Sequence, residues 1–334
     1  MATTTFYEEI SKNKWKSALL VSVFIALIVG LGFIVGYLLG SWEWAIIGLI
    51  IATVIATIMA FLSYYNSDKI AMATAGARQV TREEYPYYVN TVEGLSIAAG
   101  LPPPRTYIID TPAMNAFATG RDPEHSAVAV TSGLLEQCNR LELEGVLAHE
   151  MSHIKNYDIR LMCMVVVLVG MVVIFAEVML RMFIFGGGRG RRDSGMGGEA
   201  GGWVALVMII LGLLFLILSP LIAQLLQLSI SRKREYLADA NSAMLTRYPE
   251  GLASALEKLT VKAKPFNRAS KATAHLFIVQ PFRKEAKQKA SGKSSMWDTH
   301  PPIDKRVERL RAMSGLEGMY NQAQMEARLS GESP

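Results

Sequence analysis

The sequence predicts a mainly α membrane protein: four transmembrane helices joined to a cytoplasmic α+β domain with a small edge β-sheet. Three observations carry this. Hydrophobic residues make up 51% of the 334-residue chain, more than an ordinary soluble enzyme carries. Four stretches, roughly Ser17–Gly40, Trp44–Tyr65, Leu161–Phe185 and Trp203–Leu228, reach the ~20 apolar residues that a bilayer crossing needs. Two polar blocks alternate with these pairs of spans, and the first holds His149-Glu150-Met151-Ser152-His153.

Residues 1–65 form a polar tail and a first membrane hairpin, with spans over 17–40 and 44–65. Lys12, Lys14 and Lys16 precede the first span, and flanking positive charge keeps the N-terminus in the cytoplasm. The first span outruns the apolar core of a cleavable signal and has no clear small-x-small cleavage site, so it reads as a retained anchor. Gly32, Gly36 and Gly40 recur every four residues, a spacing that permits close helix packing. The loop Ser41-Trp42-Glu43 has no Lys or Arg and belongs outside.

Residues 66–160 are the first soluble block. Thr81-Arg82-Glu83-Glu84 reads as a capping box that opens a helix to about Ala99. Gly100-Leu101-Pro102-Pro103-Pro104 breaks it. Thr106–Ile109, Ala116–Thr119 and Ala127–Thr131 read as short strands between turn residues. A helix then runs through the HExxH segment. Asn139 caps it, Glu142 completes the capping box, and Leu143, Val146, Leu147 and Ile154 give it an apolar stripe.

Residues 161–228 form the second membrane hairpin, with spans over 161–185 and 203–228 and a loop over 186–202 in which nine of seventeen residues are Gly. Glu177 and Arg181, four apart in the third span, neutralise one another near its outer end. Residues 229–334 are the second soluble block. Ser231–Thr246 continues the fourth span as a polar helix. Residues 264–293 carry eight Lys or Arg against the single acid Glu285, which suits either anionic headgroups or a solvated loop. Thr299-His300-Pro301-Pro302 precedes a last amphipathic helix, Asp304–Met313.

Composition excludes several classes. Cys138 and Cys163 are too few for a disulfide framework or a cysteine zinc cage, and they read as free thiols in a reducing compartment. The net charge of +5 fits basic cytoplasmic surface rather than nucleic-acid binding. Gly292-Lys293-Ser294 resembles a phosphate loop only at its end, since Lys287 stands where the first glycine must be, so no nucleotide is expected.

The chemistry sits in the HExxH stretch. Residues four apart lie on one helix face, so His149 and His153 can present two imidazoles to one zinc ion. Glu150 lies next to the site, placed to act as a general base on water. A catalytic zinc takes a third protein ligand, and Glu235 is the strongest one in the chain. Asp239, one turn on, suits the carboxylate that receives the other ring proton of a metal-bound His. His149 and His153 precede span three while Glu235 follows span four. Two crossings return the chain to the same side, so the site and both ends of the chain are cytoplasmic. Arg140, Lys155 and Asp158 keep the HExxH helix out of lipid, which excludes an intramembrane site.

HExxH, the segment Arg232 to Asp239 and the late Thr299-His300-Pro301-Pro302 with Arg306 resemble the HtpX family of membrane metalloproteases, relatives of the CAAX prenyl proteases. The resemblance runs from about Thr81 to Leu310. It implies a zincin-type (gluzincin-like) domain with one Zn2+ per chain. His149, His153 and Glu235 would be the ligands, Glu150 the base, Asp239 the supporting carboxylate and His300 an oxyanion stabiliser. Asn115-Ala116-Phe117-Ala118 resembles the family's sheet edge, on which a substrate strand lies. The resemblance further implies an ATP-independent endopeptidase, multi-pass in the cytoplasmic (inner) membrane. Its expected partners are polypeptides and the lipid bilayer, and its expected role is to cut cytoplasmic regions of misfolded or damaged membrane proteins under stress. Two alternatives stay open at this point: a CAAX-type prenyl-peptide protease, and a non-catalytic scaffold or transporter with a structural metal.

Overall fold

A computed structural model describes residues 6–39, 41–164, 232–261, 277–278 and 301–313. The third and fourth spans beyond Met164, the loop 186–202, the pair Glu177 and Arg181, most of 264–293 and His300 lie outside the described residues.

The chain divides into two compact units. The first contains α1 (Phe6–Leu39) and α2 (Trp42–Ala75) as far as Ile70. Both helices are long and apolar enough to cross a membrane, over Asn13–Ile34 and Trp42–Leu62. Small residues let their backbones touch. A Cβ on Gly32 would strike Ala52 and the Gly48 carbonyl, and one on Gly36 would strike the Trp44 backbone. Lipid gives apolar side chains no reason to leave it, so close backbone approach is what holds such a pair together.

The second unit contains Ala71–Ile159 and the described residues from Arg232 onward. Among the described residues its sheet has four strands: β1 (Arg78–Gln79), β2 (Arg105–Ile109), β3 (Ala116–Gly120) and β4 (Ser126–Thr131), in the order β1-β2-β4-β3. β2 and β4 run parallel, with Tyr107 opposite Ala129, and β3 runs antiparallel to β4, with Phe117 opposite Ala129. β3 is therefore an edge strand.

α3 (Pro86–Ala99) and α4 (Ser132–Gln137) flank the sheet in sequence. α3 begins four residues later than its capping signal predicts. Glu84 does reach back to the Thr81 N–H, at 3.3 Å. Pro86, however, has no N–H to donate and would clash inside a helix, so it can only stand in the first turn.

α5 (Arg140–Lys155) is the central helix, packed against β3, α3, α6 (Arg232–Thr246) and α7 (Pro249–Val261). α8 (Ile303–Met313) packs on α6 and α7. The capping box expected at Asn139 and Glu142 is present. Glu142 also accepts from Ser254 at 2.6 Å and from Lys258 at 2.7 Å, which ties the start of α5 to α7. Leu143, Val146, Leu147 and Ile154 are buried as the apolar stripe requires. Burial extends around the helix to His149, Glu150 and His153, because α6 covers the polar side.

Gly145 sets how close α7 comes. A Cβ there would lie 2.6 Å from the Leu252 nitrogen and 2.9 Å from its Cα. On the same turn, Ser242 of α6 donates to the Gly145 carbonyl at 2.8 Å. Gly145→Ala should therefore destabilise the protein by about 1–3 kcal/mol, the usual cost of overpacking. Thermal unfolding in detergent should show a lowered midpoint, and an unchanged midpoint would mean that α5 and α7 can separate freely.

Candidate metal centre

α5 brings His149 and His153 onto one face, with ring centroids 4.8 Å apart and planes at 87°. Their Nε2 atoms face one another at 3.2 Å. Glu235, from α6, completes the group. Its Oε2 lies 3.8 Å from His149 Nε2 and its Oε1 lies 3.6 Å from His153 Nε2. All three side chains are buried. Among the described residues they form the group of ligand atoms that could hold a metal ion, all within 4.8 Å of one another.

The outer nitrogens decide the tautomers. His149 Nδ1 lies 3.0 Å from Asp239 Oδ1, off the ideal hydrogen-bond line. His153 Nδ1 lies 3.0 Å from Asp158 Oδ2. A carboxylate can only accept, so each Nδ1 carries the proton and each Nε2 presents a lone pair. Two lone pairs 3.2 Å apart beside a carboxylate repel unless a cation lies between them. Ligand atoms about 2.0–2.1 Å from a tetrahedral ion lie roughly 3.3 Å apart, so the donor set fits a small metal ion.

The charges fit as well. Glu150, Asp158, Glu235 and Asp239 are all buried here, against the two buried guanidiniums of Arg234 and Arg306. Asp158 and Asp239 each face a guanidinium, and the Glu235 carboxylate beside the two imidazoles adds negative charge that a divalent cation would offset. Buried charge needs such compensation.

Arg306, on α8, is completely buried and grips Asp239 with two hydrogen bonds, of 2.9 and 2.7 Å. Its other contacts reach Glu235 Oε2 at 3.7 Å and His149 Nε2 at 3.5 Å. Burial works to raise the Asp239 carboxyl, yet the Arg306 charge and the His149 ring beside it hold it below its ordinary value. Burial pulls His149 down to about 4, and the Arg306 charge adds to this. Burial also opposes charge on His153, but the Asp158 hydrogen bond and the Glu235 charge outweigh it and raise His153 to about 9. The carboxylates around His153 thus favour positive charge at the place a metal cation would take.

Glu150, beside the two histidines on α5, also reaches the sheet edge. Burial raises its carboxyl to about 7, and the Ala118 backbone N–H bonds to it. Asn115, Ala116 and Phe117 are buried at the same edge. The Asn115 side chain accepts from the Ala116 N–H at 3.1 Å, while the Ala116 carbonyl accepts from the Ile278 N–H at 3.0 Å. Phe117 packs edge-on against Phe277, with centroids 5.0 Å apart. The structure thus brings together His149, Glu150, His153, Glu235, Asp239 and Arg306, with the Asn115–Phe117 edge beside Glu150; His300 is not among the described residues. Asp158 and Arg234 complete the polar shell without a sequence signal that points to them. Asp158 follows a turn whose geometry no periodicity reveals.

The model of "Peptidase family M48" matches residues 83–314. The "Protease HtpX homolog" of Dictyoglomus thermophilum is 45% identical over 314 residues, covering 94% of this chain and 96% of that one. The protein of the same description from Dictyoglomus turgidum is 47% identical, with the same coverage. That of Streptococcus uberis is 43% identical over 92% of this chain and 99% of its own. A solved structure, S. mikatae Ste24p, aligns with a TM-score of 0.43 at 17% identity, over 89% of this chain and 66% of that one.

Because a metal needs both Nε2 lone pairs and protons compete for them, most strongly at His153, metal affinity should fall as pH drops. Calorimetric titration in buffers of different ionisation enthalpy should detect about one proton released per metal near neutral pH. Affinity that does not vary with pH would contradict the assigned protonation.

Proposed function

This chain belongs to peptidase family M48, and we propose that its buried triad of His149, His153 and Glu235 holds one zinc ion for peptide hydrolysis at the cytoplasmic membrane. The protein is a membrane metalloprotease acting on polypeptides. That membership disposes of the non-catalytic scaffold reading. The observation that carries the zinc assignment is the pair of Nε2 atoms facing one another beside Glu235. Two imidazoles and one carboxylate are a catalytic zinc set that leaves a position open.

When bound, the metal supplies a Lewis acid that acidifies water and polarises a scissile carbonyl. The chain's own residues do the rest. Glu150, with its carboxyl near 7, is poised to take a proton from the attacking water and to return it to the leaving amine. Asp239, gripped by Arg306, keeps His149 in the tautomer that leaves Nε2 bare. The edge strand β3 supports a place for a substrate strand, because its Ala118 N–H and the Glu150 carboxylate lie together. Asn115, Ala116 and Phe117 would shape that edge. His300 is assigned to the oxyanion by resemblance alone.

The proposal extends to organisation. The protein would span the inner membrane four times, through residues 1–65 and 161–228. Residues 66–160 and 229–334 would form one cytoplasmic protease domain. The two apolar helices and the lysines before the first support this arrangement. Its substrates would be cytoplasmic regions of misfolded or damaged membrane proteins, cut without ATP.

Glu150→Gln is the decisive variant. It should retain full metal content while casein cleavage falls by about 10²–10⁴-fold. Wild-type turnover in this variant would remove Glu150 from the mechanism. Wild-type turnover that survives complete chelation would remove the metal.

A further inference from the structure

Behind the two histidines the structure repeats one arrangement. His149 Nδ1 faces Asp239, which is held by buried Arg306. His153 Nδ1 faces Asp158 Oδ2 at 3.0 Å, and the other oxygen, Oδ1, accepts from Arg234 at 3.1 Å. Each histidine thus has its own carboxylate, and each carboxylate its own guanidinium. We infer that Asp158 and Arg234 are positioning residues for the metal site, acting through His153 as Asp239 and Arg306 act through His149. The inference rests on the metal reading above.

The backbone is bent for this purpose. On a continued α-helix, a residue five beyond His153 would point about 140° away from it around the axis. α5 instead ends at Lys155, and Tyr157 adopts a left-handed conformation with φ 59°. Side chains rarely adopt that conformation, and it persists only where the surroundings fix it. The turn brings Asp158 back beneath His153, completely buried. A buried carboxylate is costly unless it is paired, and Asp158 spends both oxygens on defined partners.

Arg234 adds a second consequence. It is the residue immediately before Glu235 on α6. Its hydrogen bond to Asp158 therefore ties the third ligand's helix to the imidazole of the second ligand. The placing of Glu235 and the orientation of His153 become one constraint.

Asp158→Asn in the full-length protein removes the charge and keeps the shape. It should weaken zinc binding about 10–100-fold, measured by competition with a chromogenic chelator. The absorption bands of the cobalt-loaded protein should shift with the altered ligand field. A second variant, Asp158→Leu with Arg234→Met, separates positioning from simple charge neutralisation. It should recover metal-free thermal stability relative to Asp158→Leu alone, because no buried charge is left unpaired. It should nevertheless keep the loss of zinc affinity. Zinc binding at the wild-type level in either Asp158→Asn or the double variant would overturn the inference. A wild-type protein that binds no zinc would instead overturn the metal reading, and this inference with it.

Discussion

Two imidazole nitrogens held 3.2 Å apart with their lone pairs converging are the constraint on which the rest of the site depends. The arrangement is unstable by itself. It needs a cation at its centre and a rigid frame behind it. Four elements supply the frame: α5 carries the histidines, α6 carries Glu235 and Asp239, α8 inserts Arg306, and the turn after α5 returns Asp158. The tight crossing of α5 with α7 at Gly145, and the Ser242 hydrogen bond to the Gly145 carbonyl, fix α5 against the elements that surround it.

Burial gives these charges their strength and makes them costly. In a poorly solvated interior, an uncompensated carboxylate is strongly disfavoured. Arg306 and Arg234 each neutralise one supporting carboxylate, and the remaining negative charge is concentrated on Glu235 and Glu150. The same dehydration that makes the cluster demand a cation raises Glu150 to about 7. The demand for a cation and the raised Glu150 carboxyl thus draw on one physical cause. Glu150 lies on α5 between the two histidines, and the Ala118 backbone N–H bonds to it at the sheet edge, so the site opens onto that edge.

The sequence made the local parts of this site readable. The four-residue spacing of His149 and His153 needs only a helix to become geometry, and Asn139 with Glu142 marks where that helix starts. The strands at 105–109, 116–120 and 126–131 lie within one residue of the segments read between turn residues. Glu235 and Asp239 were legible as a pair one helical turn apart, because a third ligand had to exist. Other features depend on three dimensions. The start of α3 moved to Pro86 because a ring without an N–H overrides an upstream capping signal. Asp158 could not be found by period, since Tyr157 interrupts the helix with a left-handed residue. The resemblance marked Arg306, but only the fold gives its work: a guanidinium completely buried against Asp239.

The most direct measurement is X-ray absorption at the zinc edge on the purified, zinc-loaded wild-type protein. The account predicts a first shell of two imidazole nitrogens and one or two oxygens at about 2.0–2.1 Å, with the outer-ring scattering of two histidines. A shell containing sulfur at about 2.3 Å, or one of oxygens without imidazole scattering, would contradict it.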